Sequence, residues 1–142
     1  MTGRIEGRCL CGAVRISVRG LSHKMSACHC EMCRRWSGAV QFGIDAPTNG
    51  TEVVGPVKVY RSSAIAERAW CDTCGSALWL RDLRDGAPYE LVPGLFANAG
   101  GARLVREVYA DRVPDGYAFA GTHRRVSAAE YALENPVVEE AD

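Results

Sequence analysis

All seven cysteines of this 142-residue chain fall into three short clusters. Cys9-Leu10-Cys11 is a C-x-C pair, Cys28-His29-Cys30-Glu31-Met32-Cys33 is a C-x-C-x-x-C run, and Cys71-Asp72-Thr73-Cys74-Gly75 is a C-x-x-C-G knuckle. Thiolates one or two residues apart can share one tetrahedral metal ion. The two pairs together make a closed four-thiolate site, while the run of three leaves one coordination position free. Closed sites hold folds together and open positions do chemistry, so the cysteines speak to function as well as structure.

The knuckle turns tightly enough for two sulfurs to meet one ion, and Gly75 suits the left-handed residue that ends such a turn. The C-x-C pair can supply two more ligands from a neighbouring strand. Cys9, Cys11, Cys71 and Cys74 are therefore assigned to one closed, structural zinc site. An iron–sulfur cluster is the main rival metal centre, and free thiols or a redox-active C-x-x-C are the plain alternatives. Cys28, Cys30 and Cys33 are given a metal- or thiol-binding role with one corner open, against the reading of three reduced cysteines without metal or a site emptied by oxidation. An open corner on a thiolate-rich zinc prefers a soft ligand such as a substrate thiolate.

His29, between two ligands, is expected behind the site or at the surface, and the lone His23 and His123 are expected to be structural or exposed. Arg34 and Arg35 follow the open cluster and are candidate substrate-binding residues, because guanidinium groups pair with carboxylates. Arg8 and Arg68 flank the closed cluster and read as solvated charge, and Trp36 reads as core. No proton-transfer residue declares itself; Glu31, Asp72 and Tyr60 are the candidates.

Several short elements must position these clusters. Residues 12–19 alternate apolar and polar and predict a half-buried strand leaving the first pair. Residues 31–38 predict one or two helical turns after the second cluster. Strands are expected at Val40–Ile44, Val57–Tyr60, Tyr89–Val92 and Leu104–Ala110. Ile65–Trp70 and Ala77–Arg81 predict a hairpin with the knuckle at its tip. Frequent Gly and Pro turn signals, such as Asn49-Gly50 and Gly55-Pro56, point to an antiparallel β fold. Ser127-Ala128-Ala129-Glu130 is a capping box that opens a short C-terminal helix.

Hydrophobic residues make up 47% of the chain and charged residues 24%, the make-up of a globular protein. The length suits a single domain over residues 1–142. Within it the scaffold motifs occupy 7–82, a substrate-side region 83–136, and a frayed acidic tail 137–142. No stretch approaches the roughly 20 apolar residues of a membrane span, and the N-terminus lacks an apolar signal core. A reducing, cytoplasmic setting is expected, in which clustered cysteines bind metal rather than pair. Lys+Arg and Asp+Glu balance at 17 each, unlike the basic excess of a nucleic-acid-binding module. The expected partner is a small-molecule thiol, with neither nucleic acid nor membrane; the pattern sets no oligomeric state.

Gly7-Arg8-Cys9-Leu10-Cys11-Gly12, the run from Cys28 to Gly38, and Cys71-Asp72-Thr73-Cys74-Gly75 resemble the motifs of the glutathione-dependent formaldehyde-activating enzyme family, which includes the centromere protein V group. The resemblance implies a mainly β, Mss4-like fold of short antiparallel strands built around two zinc sites. It implies a structural zinc on the first and third clusters and a catalytic or substrate-binding zinc on the middle one. It also implies carbon–sulfur lyase chemistry on a glutathione adduct; the founding activity joins glutathione and formaldehyde into S-hydroxymethylglutathione. Family members often carry a Gly-x-Leu-Asp-like segment after the last ligands, where this chain has Gly94-Leu95-Phe96-Ala97, without the acid. Two other functions stand beside the enzyme: a zinc scaffold for a protein partner, and a redox sensor built on the middle cysteines.

Overall fold

The structure is a computed structural model that describes residues 3–136, so the acidic tail 137–142 lies outside the described residues. Its elements are β1 (Arg4–Arg8), β2 (Arg15–Arg19), β3 (Lys24–Cys28), α1 (Glu31–Ser37), β4 (Gln41–Ala46), β5 (Thr51–Val54), β6 (Val57–Arg61), β7 (Ala66–Cys71), β8 (Ala77–Asp82), β9 (Tyr89–Leu91), β10 (Arg103–Val108), β11 (Arg124–Val126) and α2 (Ala128–Glu134). The architecture is mainly β, with a short C-terminal helix, as the sequence predicts. The chain divides into two compact units, one built from residues up to Lys24 with Gly43–Arg103, the other from Met25–Phe42 with residues from Leu104 onward. No helix among the described residues is long and apolar enough to cross a membrane.

In the first unit β2 shows the alternation that its sequence carries. Ile16 and Val18 are fully buried while Arg15 and Arg19 face solvent, because successive side chains of a strand point to opposite faces. β2 sits between β1 and β5, antiparallel to both. A second run of neighbours, β4–β9–β8–β7–β6, is antiparallel throughout. Ile16 and Val18 pack into one core with Ala46, Ala69, Leu78, Trp79, Leu91, Leu95 and Phe96. Cys9 and Cys71 belong to the same core. The β7–β8 hairpin carries the knuckle at its tip, as expected, and Gly75 there adopts φ 80°.

The second unit orders its strands β11–β10–β3. β10 and β11 run parallel, a local exception to the expected antiparallel pairing. The segment between them makes that geometry reachable, since it returns the chain past the strand end instead of closing a tight hairpin. Cys30 and Cys33 lie in this unit's core with Val108, Tyr109, Val126 and Ala128. α2 starts with the predicted capping box, in which Ser127 Oγ accepts from Glu130 N–H at 3.1 Å and Glu130 Oε1 accepts from Ser127 N–H at 3.0 Å.

Gly55 takes φ +120°, and a Cβ built there would lie 2.1 Å from the Ala13 carbonyl oxygen, just beyond the first cysteine pair. Gly55→Ala is expected to destabilise the protein by about 2–4 kcal/mol through backbone strain and collision, measured by denaturant unfolding. Wild-type stability in that variant would show that the β5–β6 turn is not held as described.

Candidate metal centres

The first pair and the knuckle converge. The ligand sulfurs of Cys9, Cys11, Cys71 and Cys74 all lie within 4.8 Å of one another. Cys9 and Cys11 sulfurs are 3.6 Å apart, and Cys11 and Cys71 sulfurs 3.9 Å. Local backbone turns make this approach. The Gly12 N–H donates to the Cys9 carbonyl at 3.2 Å, and the Gly75 N–H donates to the Cys71 carbonyl at 2.8 Å. The turns also aim N–H groups at sulfur, from Val14 to Cys9 (3.3 Å) and from Ala13 to Cys11 (3.4 Å). Ser76 links the two turns, with its hydroxyl accepting from Leu10 N–H at 3.0 Å and lying 3.1 Å from the Cys74 sulfur.

The sulfurs' acidities diverge with their hydrogen-bond partners and neighbours. The Ser76 hydroxyl, and after it the backbone N–H groups of Cys11 and Ser76, hold the Cys74 thiol down at about 5. The Ala13 N–H favours the Cys11 thiolate, but burial and the neighbouring Cys9, Cys74 and Cys71 push that thiol up to about 11. Sulfurs this close cannot all carry negative charge without a cation among them. None of the seven cysteines forms a disulfide.

The middle cluster converges in the second unit. Cys28, Cys30 and Cys33 also hold their sulfurs within 4.8 Å, and among the described residues no further His, Cys, Asp or Glu joins the group. Cys28 closes β3, Cys30 caps α1 with its sulfur accepting from Cys33 N–H at 3.4 Å, and Cys33 sits buried one turn in. Hydrogen bonds from Cys30 and Cys33, together with burial, push the Cys28 thiol well up.

Other candidates fall variously. Arg35 is largely exposed and donates to Glu31 at 2.9 Å across one helical turn, while Arg34 Nε donates to the His29 carbonyl at 2.8 Å. Glu31 thus lies beside the three-cysteine cluster, whereas Tyr60 and Asp72 belong to the other unit. Trp36 is half-buried and His23 exposed. Arg68 is buried, not solvated as its sequence position suggests; its place in a central strand flanked on both sides takes it out of water. Ala97, where the family's acid would stand, is exposed, and the preceding Phe96 is buried against Gly7. A cavity of about 690 Å³, lined in part by Arg8, Leu10, Ser76, Gly94 and Phe96, opens beside the four-cysteine cluster. Arg8 Nη1 there is committed to the carbonyls of Cys9 and Leu10.

His29 is the residue whose surroundings are least visible in the sequence. It is fully buried, and its Nε2 lies 2.7 Å from Glu107 Oε1. His123 Nε2 meets the other oxygen of Glu107, and Arg125 Nε approaches that oxygen at 3.4 Å. Burial alone would raise the Glu107 pKa, but the hydrogen bonds and charge of His123 and His29 outweigh it and hold the carboxyl below its usual range. An ionised carboxylate only accepts, so each ring donates from Nε2. His29 Nδ1 has no hydrogen-bond partner among the described residues, and the Phe119 and Tyr117 rings lie 5.7 and 6.5 Å from its ring. Sequence reasoning missed Glu107. The available signal was an acidic residue at an inward position of a strand otherwise rich in valine.

The match to known proteins is specific. The model of the glutathione-dependent formaldehyde-activating enzyme family matches residues 4–112. The chain belongs to that family. An uncharacterized lyase of Schizosaccharomyces pombe is 33% identical over 117 residues, which cover 81% of this chain and 85% of that protein. A Halomonas elongata protein that carries the family's name is 32% identical over 90 residues, 56% of this chain and 57% of its own length. The crystal structure of a Rhodobacter sphaeroides protein superposes with a TM-score of 0.55 at 20% identity, covering 86% of this chain and all of that one, and so shares the fold. The mainly β architecture accords with the Mss4-like fold that the family resemblance implies.

Two outcomes follow from the site geometry. Cys74→Ala is expected to collapse the thermal transition of the first unit, since ion binding at a closed site is folding energy; a melting curve like that of wild type would remove the closed-site assignment. Glu107 has a folded-state pKa below its unfolded value, so its stabilisation is complete above about pH 4.3 and fades as pH falls through the lowered pKa. The stability gap between wild type and Glu107→Gln should therefore be widest near neutrality and narrow in acid, read by urea unfolding at a series of pH values.

Proposed function

We propose that this chain is a zinc-dependent enzyme acting on glutathione or a related thiol adduct, of the carbon–sulfur lyase type. The observation that carries the reading is the three-sulfur convergence of Cys28, Cys30 and Cys33, which no fourth ligand residue joins among the described residues. Cys9, Cys11, Cys71 and Cys74 would hold a structural zinc, and the middle three a catalytic or substrate-binding one, two ions per chain. The donor chemistry fits: reduced thiols at tetrahedral spacing suit zinc. Zinc held by three thiolates supplies an open position and a positive charge that favours the ionised form of a substrate thiol.

The chain's own residues then bind and orient. Cys30 and Cys33 are buried, so the sulfur end of the substrate is drawn into a site shielded from water. Arg35, exposed one turn along α1, would meet a substrate carboxylate on releasing Glu31. Arg34 is tied to the His29 carbonyl by Nε, and its remaining guanidinium donors are the second candidate clamp. In the adduct-forming direction the thiol sulfur bonds to the carbonyl carbon, the C=O pair moves to oxygen, and the proton lost from the thiol ends on that oxygen. The cavity beside the four-cysteine cluster is a weaker candidate for the thiol, because a four-thiolate ion has no free position there.

Metal analysis of protein purified with zinc and reductant is expected to give two zincs per chain. Cys30→Ser should keep the circular dichroism of the fold and lose calorimetric binding of glutathione. Unchanged binding in that variant would place the thiol elsewhere and sink the proposed site. Arg35→Ala is expected to weaken glutathione binding by about 1–3 kcal/mol, the range for a hydrogen bond to a charged group; an unaltered titration would remove the carboxylate clamp alone.

A further inference from the structure

The buried Glu107 pairs with His29, which lies in sequence between Cys28 and Cys30 of the open cluster. The backbone continues extended past β3, because His29 N–H donates to the Val108 carbonyl at 3.1 Å and Cys30 holds φ −63°, ψ 161°. Along an extended chain successive side chains alternate between faces. Cys28 and Cys30 therefore point to one face and the His29 ring to the other. β10 alternates in the same sense. Val108 packs with Cys30 and Cys33, while Glu107 turns to His29.

His29 is fixed at three points. Its N–H is held by Val108, its carbonyl accepts from Arg34 Nε at 2.8 Å, and its ring donates to Glu107. Glu107 is itself immobile. Its second oxygen takes His123 and Arg125, and Arg125 is its direct register partner on β11. Arg125 Nη2 is anchored in turn on the Phe119 carbonyl at 2.8 Å. Any rotation of His29 about the backbone would swing both flanking sulfurs. A three-ligand site lacks the fourth protein bond that would otherwise enforce its geometry, so it depends more than a closed site on groups that orient its ligands.

We infer that Glu107 is a positioning residue for the three-cysteine site, holding His29 from the face opposite the sulfurs and so fixing Cys28 and Cys30 for the ion. This rests on the reading that those three cysteines hold a metal. The contrasting role is structural only, a buried ionic cluster that supports the fold without governing the ligands.

The experiment is cadmium NMR on the full chain loaded with isotopically enriched cadmium, with site affinities from chelator competition. Wild type should show two resonances, one of four-thiolate and one of three-thiolate character. In Glu107→Gln the three-thiolate resonance is expected to shift or broaden and its affinity to fall about 10–100-fold, while the four-thiolate resonance stays in place. His29→Phe should do the same. His29→Gln, which keeps an N–H donor near the position of Nε2, should restore the wild-type resonance. This pair decides the matter if Glu107→Gln does not fold. An unchanged three-thiolate resonance with affinity within about twofold in both Glu107→Gln and His29→Phe, whatever happens to the melting temperature, overturns the inference and leaves the metal site standing. A single four-thiolate resonance in wild type overturns the three-cysteine metal site and this inference with it.

Discussion

Crowded sulfur is the constraint around which the rest of the molecule is arranged. Seven thiols converge into two groups whose atoms lie within 4.8 Å of one another, and most of them are buried or half-buried. Ionised thiolates at such spacing repel, and protonated thiols are weak hydrogen-bond donors, so either state without an ion is a poor core. The acidities divide accordingly: the Ser76 hydroxyl and nearby backbone N–H groups hold Cys74 near 5, while burial and the neighbouring cysteines push Cys11 up to about 11. A divalent cation held there would remove the conflict, and would tie the C-x-C turn to the tip of the β7–β8 hairpin.

What the sequence disclosed follows from how local each determinant is. The cysteine spacings, the knuckle glycine and the capping box at Ser127 are set within a few residues, and each is found where it was expected. The alternation in β2 was equally legible. β1 and β5 were not. Arg4-Ile-Glu-Gly-Arg carries little apolar signal, and these segments are strands because β2 lies between them and satisfies their backbone groups. β11, three residues with two arginines, owes its state to the β10 edge. The same distinction separates the site residues. Cysteines declare themselves by spacing, whereas Glu107 meets His29 across 78 positions of sequence, and nothing near either residue announces the other. Asp72 and Tyr60 have a chemical type suited to proton transfer, and the fold sets them in the other unit.

Phe96, the residue before the missing acid, has a packing role of its own. A Cβ on Gly7 would come within 2.8 Å of the Phe96 ring, so the two residues fit as a pair, a small one at the entry to the first cluster and a large one over it. Phe96 is 5% exposed and belongs to the first unit's core. Ala97, in the acid's place, is exposed instead. The first unit thus closes over Gly7 with apolar packing, while the second holds a three-cysteine cluster that no further ligand residue joins among the described residues.

The two units reach order by different means. The first has a broad apolar core that includes Ile16, Leu78, Trp79, Leu91 and Phe96, and burial of that much hydrocarbon is a strong non-directional force for folding. The second has Val108, Tyr109, Val126 and Ala128 beside its cysteines, with no isoleucine, leucine or phenylalanine in the buried cluster. So small an apolar core specifies positions loosely. Directional contacts make up the difference: the Glu107 oxygens bridge His29 on one side and His123 with Arg125 on the other, and Asp111 Oδ1 accepts from the first N–H of α2 at 2.8 Å. A buried carboxylate with one donor would be a net cost, whereas one whose two oxygens take two hydrogen bonds and an ion pair is compensated and rigid. Directional bonds fix orientation in a way that hydrocarbon burial does not. They therefore suit the unit whose three sulfurs converge with no fourth ligand residue among the described residues.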